Sequence, residues 1–127
     1  MKKIIIIIGL ALFLYTVVFA QPPQAQIIAV ATLEKTENSQ ISDKAARAPY
    51  YLIFDRRGNL LEVISNPFHD AARGAGSKMA DLLASKNVSL VVGSAFGHKM
   101  KSALDKKGIN HHEASGIVKR VVEDLVK

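Results

Sequence analysis

The sequence predicts an α/β domain built on a mixed five-stranded sheet with helices packed over it. Three observations carry that prediction. Apolar runs of strand length alternate with amphipathic helical stretches in the second half of the chain. Two runs in the first half are joined by a tight turn containing Gly58 and Asn59. One run, Ser89 to Gly93, is apolar almost throughout, as a central strand covered on both faces must be. Strand–helix–strand alternation implies parallel neighbours with right-handed crossovers, while strands joined by a tight turn oppose each other, so the sheet is mixed.

The elements follow in order. Ile27 to Ala31 is short, apolar and rich in β-branched residues, a buried strand. Glu34 to Ala46 is polar and reads as a loop. Tyr50 to Asp55 is a second strand, Arg56 to Asn59 a turn whose Gly58 and Asn59 tolerate positive φ, and Leu60 to Ser65 the returning third strand, stopped by Asn66-Pro67. Gly74-Ala75-Gly76 opens a helix in which Ala75, Met79, Leu82 and Leu83 share one face, with Asn87 as its stop. After the central strand, Gly97 opens a second helix with Met100, Ala103 and Leu104 inward, ended by Gly108. Ile109 to Glu113 is a fifth strand, and Gly116 to Lys127 a last helix with a stripe of Ile117, Val118, Val121, Val122, Leu125 and Val126.

Ahead of this domain, Met1-Lys2-Lys3 is a basic start and Ile4 to Ala20 an uncharged, almost wholly apolar run, the pattern of a secretory signal. Residues 1–20 are therefore expected to be an export segment, 21–26 a proline-containing linker and 27–127 one domain. The run just reaches the lower bound, about 17 residues, for a membrane span, so an uncleaved anchor stands beside the cleaved signal. In both cases the two lysines stay on the cytoplasmic side and the domain is exported, periplasmic or extracellular.

The chain has no cysteine, which rules out a disulfide framework and thiolate ligation of zinc or an iron–sulfur cluster. Formal charge is +6, with two of the lysines in the signal, and the largest basic groups are the doublets Arg56-Arg57 and Lys106-Lys107. Neither makes a nucleic-acid footprint, and a modest positive balance suits an anionic ligand. The loop from Gly93 to Lys99 follows the central strand and opens a helix, a place where free N–H groups and the helix dipole favour an anion; an ordinary tight turn is the other reading. It lacks the Gly-Lys-Ser/Thr ending of a nucleotide-binding loop. Gly74-Ala75-Gly76, after Phe68-His69-Asp70, opens a helix in the same way. His69 and His98 lie in these two loops, whereas His111 and His112 are adjacent on a strand and point to opposite faces, one half-buried and one exposed. The spacing of the four histidines matches no zinc motif. Metal-dependent hydrolysis needs gathered carboxylates; the first strand has none, Asp55 sits beside a turn and Glu62 alternates outward.

The ordered set Ile28 to Thr32, Arg47 to Asp55, Asn66-Pro67, Gly74-Ala75-Gly76, Val91-Val92-Gly93 and Phe96-Gly97 resembles the dinitrogenase iron–molybdenum cofactor biosynthesis family, the NifX-type and NifB C-terminal-like domain, from about Ile27 to the end. The resemblance implies a ribonuclease H-like three-layer fold and non-enzymatic, noncovalent binding of a metal–sulfur cluster, iron–sulfur or molybdenum-containing. The chain departs from the family where a His-Phe-Gly segment often precedes the Arg-x-Pro-Tyr-like motif, here Lys44-Ala45-Ala46, and where the second helix often opens Gly-Pro, here Gly97-His98. His98 either replaces lost ligation or caps the helix.

The expected function is thus binding or carriage of an anionic metal–sulfur cluster or metal oxyanion outside the cytoplasm. Arg47 and Lys99 would balance its charge, Gly74, Gly76, Gly93 and Gly97 would let backbone N–H groups approach, and His69 and His98 would be the metal ligands. Partners would be a metalloprotein or a cluster donor or acceptor, not nucleic acid, and a membrane only if the N-terminal segment is uncleaved. The rivals are a ligand-free interaction module on the same fold and a divergent metal-dependent hydrolase.

Overall fold

The computed structural model describes residues 26–127. Eight regular elements run β1 (Ile27–Thr32), β2 (Tyr50–Asp55), β3 (Leu60–Ser65), α1 (Ala75–Ser85), β4 (Leu90–Gly93), α2 (His98–Lys106), β5 (Asn110–Glu113) and α3 (Val118–Leu125), with one 3-10 turn at Ala45–Arg47. The sheet order is β3-β2-β1-β4-β5. β2 pairs antiparallel with β1 and β3, while β1–β4 and β4–β5 are parallel. The mixed sheet is as the sequence predicts, with β4 bordered on both sides and its Val91 and Val92 fully buried.

The two-residue period of a strand divides the core in two. Ala29, Ala31, Tyr51, Ile53 and Val91 face one way and meet Met79, Ala80 and Leu83 of α1 and Met100 and Leu104 of α2. Ile28, Val30, Leu52, Phe54 and Val92 face the other way and meet Val118 and Val122 of α3. Burying a leucine such as Leu83 completely contributes roughly 1.5–3 kcal/mol.

Because only β2 is reversed, one end of the sheet gathers the C-terminal ends of β1, β3, β4 and β5 with the start of β2. The opposite end holds Gln26, the β2–β3 turn and the starts of β4 and β5.

Local details depart from the sequence reading. The stretch from Glu34 to Ala46 is not wholly peripheral: Ile41 is buried and bridges Thr32, and Gln40 bridges Ile117. In the hairpin turn Gly58 has φ +88° but Asn59 does not share it, because the turn is closed instead by the Asp55 carboxylate. The last helix starts at Val118 rather than Gly116, since Gly116 has φ +111° and Ile117 is extended. The apolar segment 1–20 and the linker before Gln26 lie outside the described residues. Among the described residues no helix is long and apolar enough to cross a membrane.

Candidate functional site

Of the four connections at the end where the parallel strands finish, three converge: β1–β2, β3–α1 and β4–α2. Open α/β sheets place ligands there, beside the point where consecutive connections leave in opposite directions, here between β1 and β4.

Hydrogen bonds lock the three loops together. The buried Asn66 donates its amide to the carbonyls of Ala46 at 3.0 Å and Ala48 at 2.9 Å and accepts from the Phe68 N–H at 2.8 Å. The Tyr51 hydroxyl donates to the Ala45 carbonyl, and burial pushes this phenol far above its ordinary range, so it remains a neutral donor. Ala45 N–H donates to the Ala95 carbonyl at 3.2 Å and Ser94 N–H to the Ser42 carbonyl at 2.9 Å, tying the β4–α2 loop to the β1–β2 loop. Arg47 reaches across the gap, its Nη1 donating to the Ala71 carbonyl at 2.7 Å and the His69 carbonyl at 3.4 Å.

Between these loops lies a cleft of about 350 Å³ lined by Ala46, Arg47, Ala72, Arg73, Gly74, Ala75, Gly76, Ser77 and Lys99. Three cations enter its lining and no carboxylate does. Gly74 caps α1 with φ +73°, a conformation that strains other residues, and its carbonyl accepts the first helical bond from Lys78 N–H. The N–H groups of Ala75, Gly76 and Ser77 therefore have no intrahelical partner and stand at the positive end of the helix dipole.

A second cleft of about 430 Å³ runs between α1 and α2 and shares Ser77 and Lys99 with the first. Its lining adds Asp81, His98, Ser102, Ala103, Lys106 and Lys107, with Lys107 paired to Asp81 at 3.1 Å.

Of the residues singled out from the sequence, Arg47, Gly74, Gly76 and Lys99 meet in the first cleft. Two glycines also serve packing. A Cβ on Gly76 would lie 2.8 Å from Met100 Cβ and 3.0 Å from its Cα, so this glycine lets α1 and α2 pack. A Cβ on Gly93 would lie 3.1 Å from Ala45 Cβ and 3.3 Å from Phe96 Cζ, again a packing constraint. Gly97 is exposed and caps α2 in an extended conformation. The two expected ligands do not share a cleft: His98 lines the second, while His69 lines neither and pairs through Nδ1 with Asp70 at 3.0 Å. Ala45 is buried, and Ala46 puts only a methyl into the cleft.

Arg73 and Ser77 escaped the sequence reading, although a cation directly before a glycine that opens a helix was a visible signal. For Asn66 the sequence shows only a strand stop. His111 and His112 part as expected, His111 half-buried with its ring 5.5 Å from Phe96 and His112 exposed. Asp55 closes the hairpin turn at the far end of the sheet, and Glu62 pairs with Lys86 at 2.6 Å. Among the described residues no three His, Asp or Glu side chains gather as a metal-ion site. The donors of the first cleft fit an anion held by charge and N–H groups; a bare cation has no ligands there.

Fold and cleft together define a small α/β domain with an anion-receptive cleft at the strand ends. The chain belongs to the dinitrogenase iron–molybdenum cofactor family, whose sequence model matches residues 26–127. It is similar to a NifB-designated protein from Thermotoga, solved by NMR, with 30% identity, TM-score 0.66, and coverage of 77% of this chain and 84% of that one. It is also similar to the apo orange protein of Desulfovibrio gigas, with 22% identity, TM-score 0.75, and coverage of 83% and 90%. A dinitrogenase-designated protein from Methanocaldococcus jannaschii shares the fold at 15% identity and TM-score 0.55, with 82% and 90% covered. No curated protein matches the chain significantly in sequence.

Proposed function

We propose that this domain binds or carries, without catalysing a reaction, an anionic metal–sulfur cluster or metal oxyanion, iron–sulfur or molybdenum-containing, in the cleft between Arg47, Arg73 and Lys99. Family membership ties the chain to such cofactors. The observation that carries the reading is a cleft with three cations, free N–H groups of α1 and no carboxylate. Arg47 is held by two carbonyls, and its guanidinium keeps further donors for an anion. The cluster would arrive preformed and be handed on to a metalloprotein or another carrier. The order β3-β2-β1-β4-β5 with β2 alone reversed supports grouping the fold with ribonuclease H-like domains. The basic start and apolar run of residues 1–20 support a place outside the cytoplasm.

The test is anoxic titration of the full chain with tetrathiomolybdate, a molybdenum–sulfur dianion, followed by visible absorbance after desalting. Arg73→Ala and Lys99→Ala should each weaken binding about tenfold or more, since a charged hydrogen bond contributes roughly 1.5–3 kcal/mol. Retention unchanged in the double variant would overturn the assignment of the cleft.

One observation favours a second reading, an interaction module that has lost its cluster: neither His69 nor His98 lines the first cleft. The cations would then meet an acidic protein surface. That reading predicts no retention of any metal–sulfur species and a cellular role that survives His69→Ala and His98→Ala.

A further inference from the structure

The end of the domain opposite the cleft carries features that cluster binding leaves unused. Gln26 leads into β1 there, and Ile27 pairs with Asp55, where the β2–β3 turn begins. Beside it, edge strand β3 exposes Leu60 at 39%, Leu61 at 55% and Val63 at 39%. Among the described residues α3 and Ile41 of the β1–β2 connection pack on this face of the sheet, and they leave β3 bare: Val63 lies opposite Leu52, whose side chain faces α3. Arg56 and Arg57 are exposed at the turn.

The same end is basic beyond the turn. α1 and α2 finish there, because each leads into the start of a strand parallel to β1, and α3 finishes there too, with Val126 against Gly58. Most acidic groups at this end are engaged: Asp55 closes the turn, Glu62 pairs with Lys86, Asp81 with Lys107 and Asp124 with Lys127, while the exposed Glu123 in the last turn of α3 makes no ion pair among the described residues. Arg56, Arg57 and Lys106 make no ion pair among the described residues.

We infer that this end seats on an anionic phospholipid surface, with Leu60 and Leu61 at the acyl boundary and Arg56 and Arg57 on lipid phosphates, so that the cleft opens away from the bilayer. The inference rests on residues 4–20 being retained as an anchor. Six residues, 21–26, separate that apolar run from β1 and reach at most about 20 Å when extended, which holds this end against the headgroups. A six-residue strand adds roughly another 20 Å, which places the cleft in water. Adjacent exposed leucines and unpaired arginines are the composition that binds a bilayer interface: apolar area enters the boundary, and each basic residue near the surface adds to the attraction. A second copy paired along β3 is the other occupant such an edge admits.

The chain has no cysteine, so Leu61→Cys and Ala72→Cys each accept one spin label, at the hairpin and at the cleft. The full chain is reconstituted into vesicles of phosphatidylglycerol and phosphatidylethanolamine, and collisions with oxygen and with a water-soluble nickel chelate are compared. A label at position 61 that collides chiefly with oxygen, beside a label at 72 that collides chiefly with the chelate, is the expected result. Arg56→Glu with Arg57→Glu should abolish that contrast. A chain that stays out of the vesicles overturns both the anchor and the inference. A chain that enters them while both positions are equally open to the chelate overturns the inference alone. Dipolar broadening between labels at position 61 identifies a second copy as the occupant and also overturns it.

Discussion

At Gly76 two roles share one sequence signal. A glycine just inside a helix start lets either a ligand or a neighbouring helix come close, and here Met100 of α2 is the neighbour. Gly76→Ala should therefore destabilise the domain by about 1–3 kcal/mol through overpacking, against a gain of up to roughly 1 kcal/mol in helix propensity. Urea unfolding followed by circular dichroism reads the net loss; an unchanged midpoint would mean that α1 and α2 have room to separate. Arg73, by contrast, should affect the ligand and leave the fold intact. It is exposed, lines the cleft and makes no ion pair among the described residues, so Arg73→Ala should leave the unfolding midpoint within about 0.5 kcal/mol of the parent. Arg47 was legible as a cation near the site, but its tether to the Ala71 and His69 carbonyls joins residues more than twenty positions apart and has no local signature.

The elements were the most legible part of the chain because each carried its own punctuation. Asn87 with φ +61° and Gly108 with φ +71° end α1 and α2 where the sequence placed the stops. The long β1–β2 connection was not legible, since its order comes from distant partners: Ile41 reaches the core beside α3, and Asn66 ties the 3-10 turn to the β3–α1 loop. Asn66→Ala should cost about 2 kcal/mol, because the buried Ala48 carbonyl, the part-buried Ala46 carbonyl and the Phe68 N–H lose their partner. Amide exchange should then speed up in residues 45–48 and 66–71 together; exchange confined to one loop would contradict a shared clamp. The hairpin offers a pH test. Hydrogen bonds from Asn59 N–H first, then the Asn59 side chain and Arg57 N–H, hold the Asp55 carboxyl below its ordinary range. A depressed folded value means that the stabilisation is complete above the unfolded value, about 3.9, and is lost as pH falls through the folded one. Parent and Asp55→Ala should therefore differ in stability at neutral pH and converge in acid; a gap that persists at pH 2 would assign it to packing.

On the scale of the whole molecule, the mixed sheet came from patterning, because the Gly58-Asn59 turn had to reverse the chain and the strand–helix–strand alternation called for parallel neighbours; the order β3-β2-β1-β4-β5, with β1 in the middle, did not. The cleft was half legible. Loops at the parallel strand ends were foreseeable from topology, but which side chains turn into them was not, and the expected pair His69 and His98 ended apart. The result is a polar molecule with an anion-receptive end and an opposite end where the chain enters. The central claim is that the receptive end holds a metal–sulfur anion by charge and N–H donors instead of thiolate or imidazole ligation. The most direct measurement is elemental analysis with a visible spectrum on the full chain isolated anoxically from its own source. Stoichiometric molybdenum or iron with inorganic sulfide and a visible band, retained in His69→Ala with His98→Ala but lost in Arg73→Ala with Lys99→Ala, is the predicted result. A colourless, metal-free protein that also refuses reconstitution would contradict it.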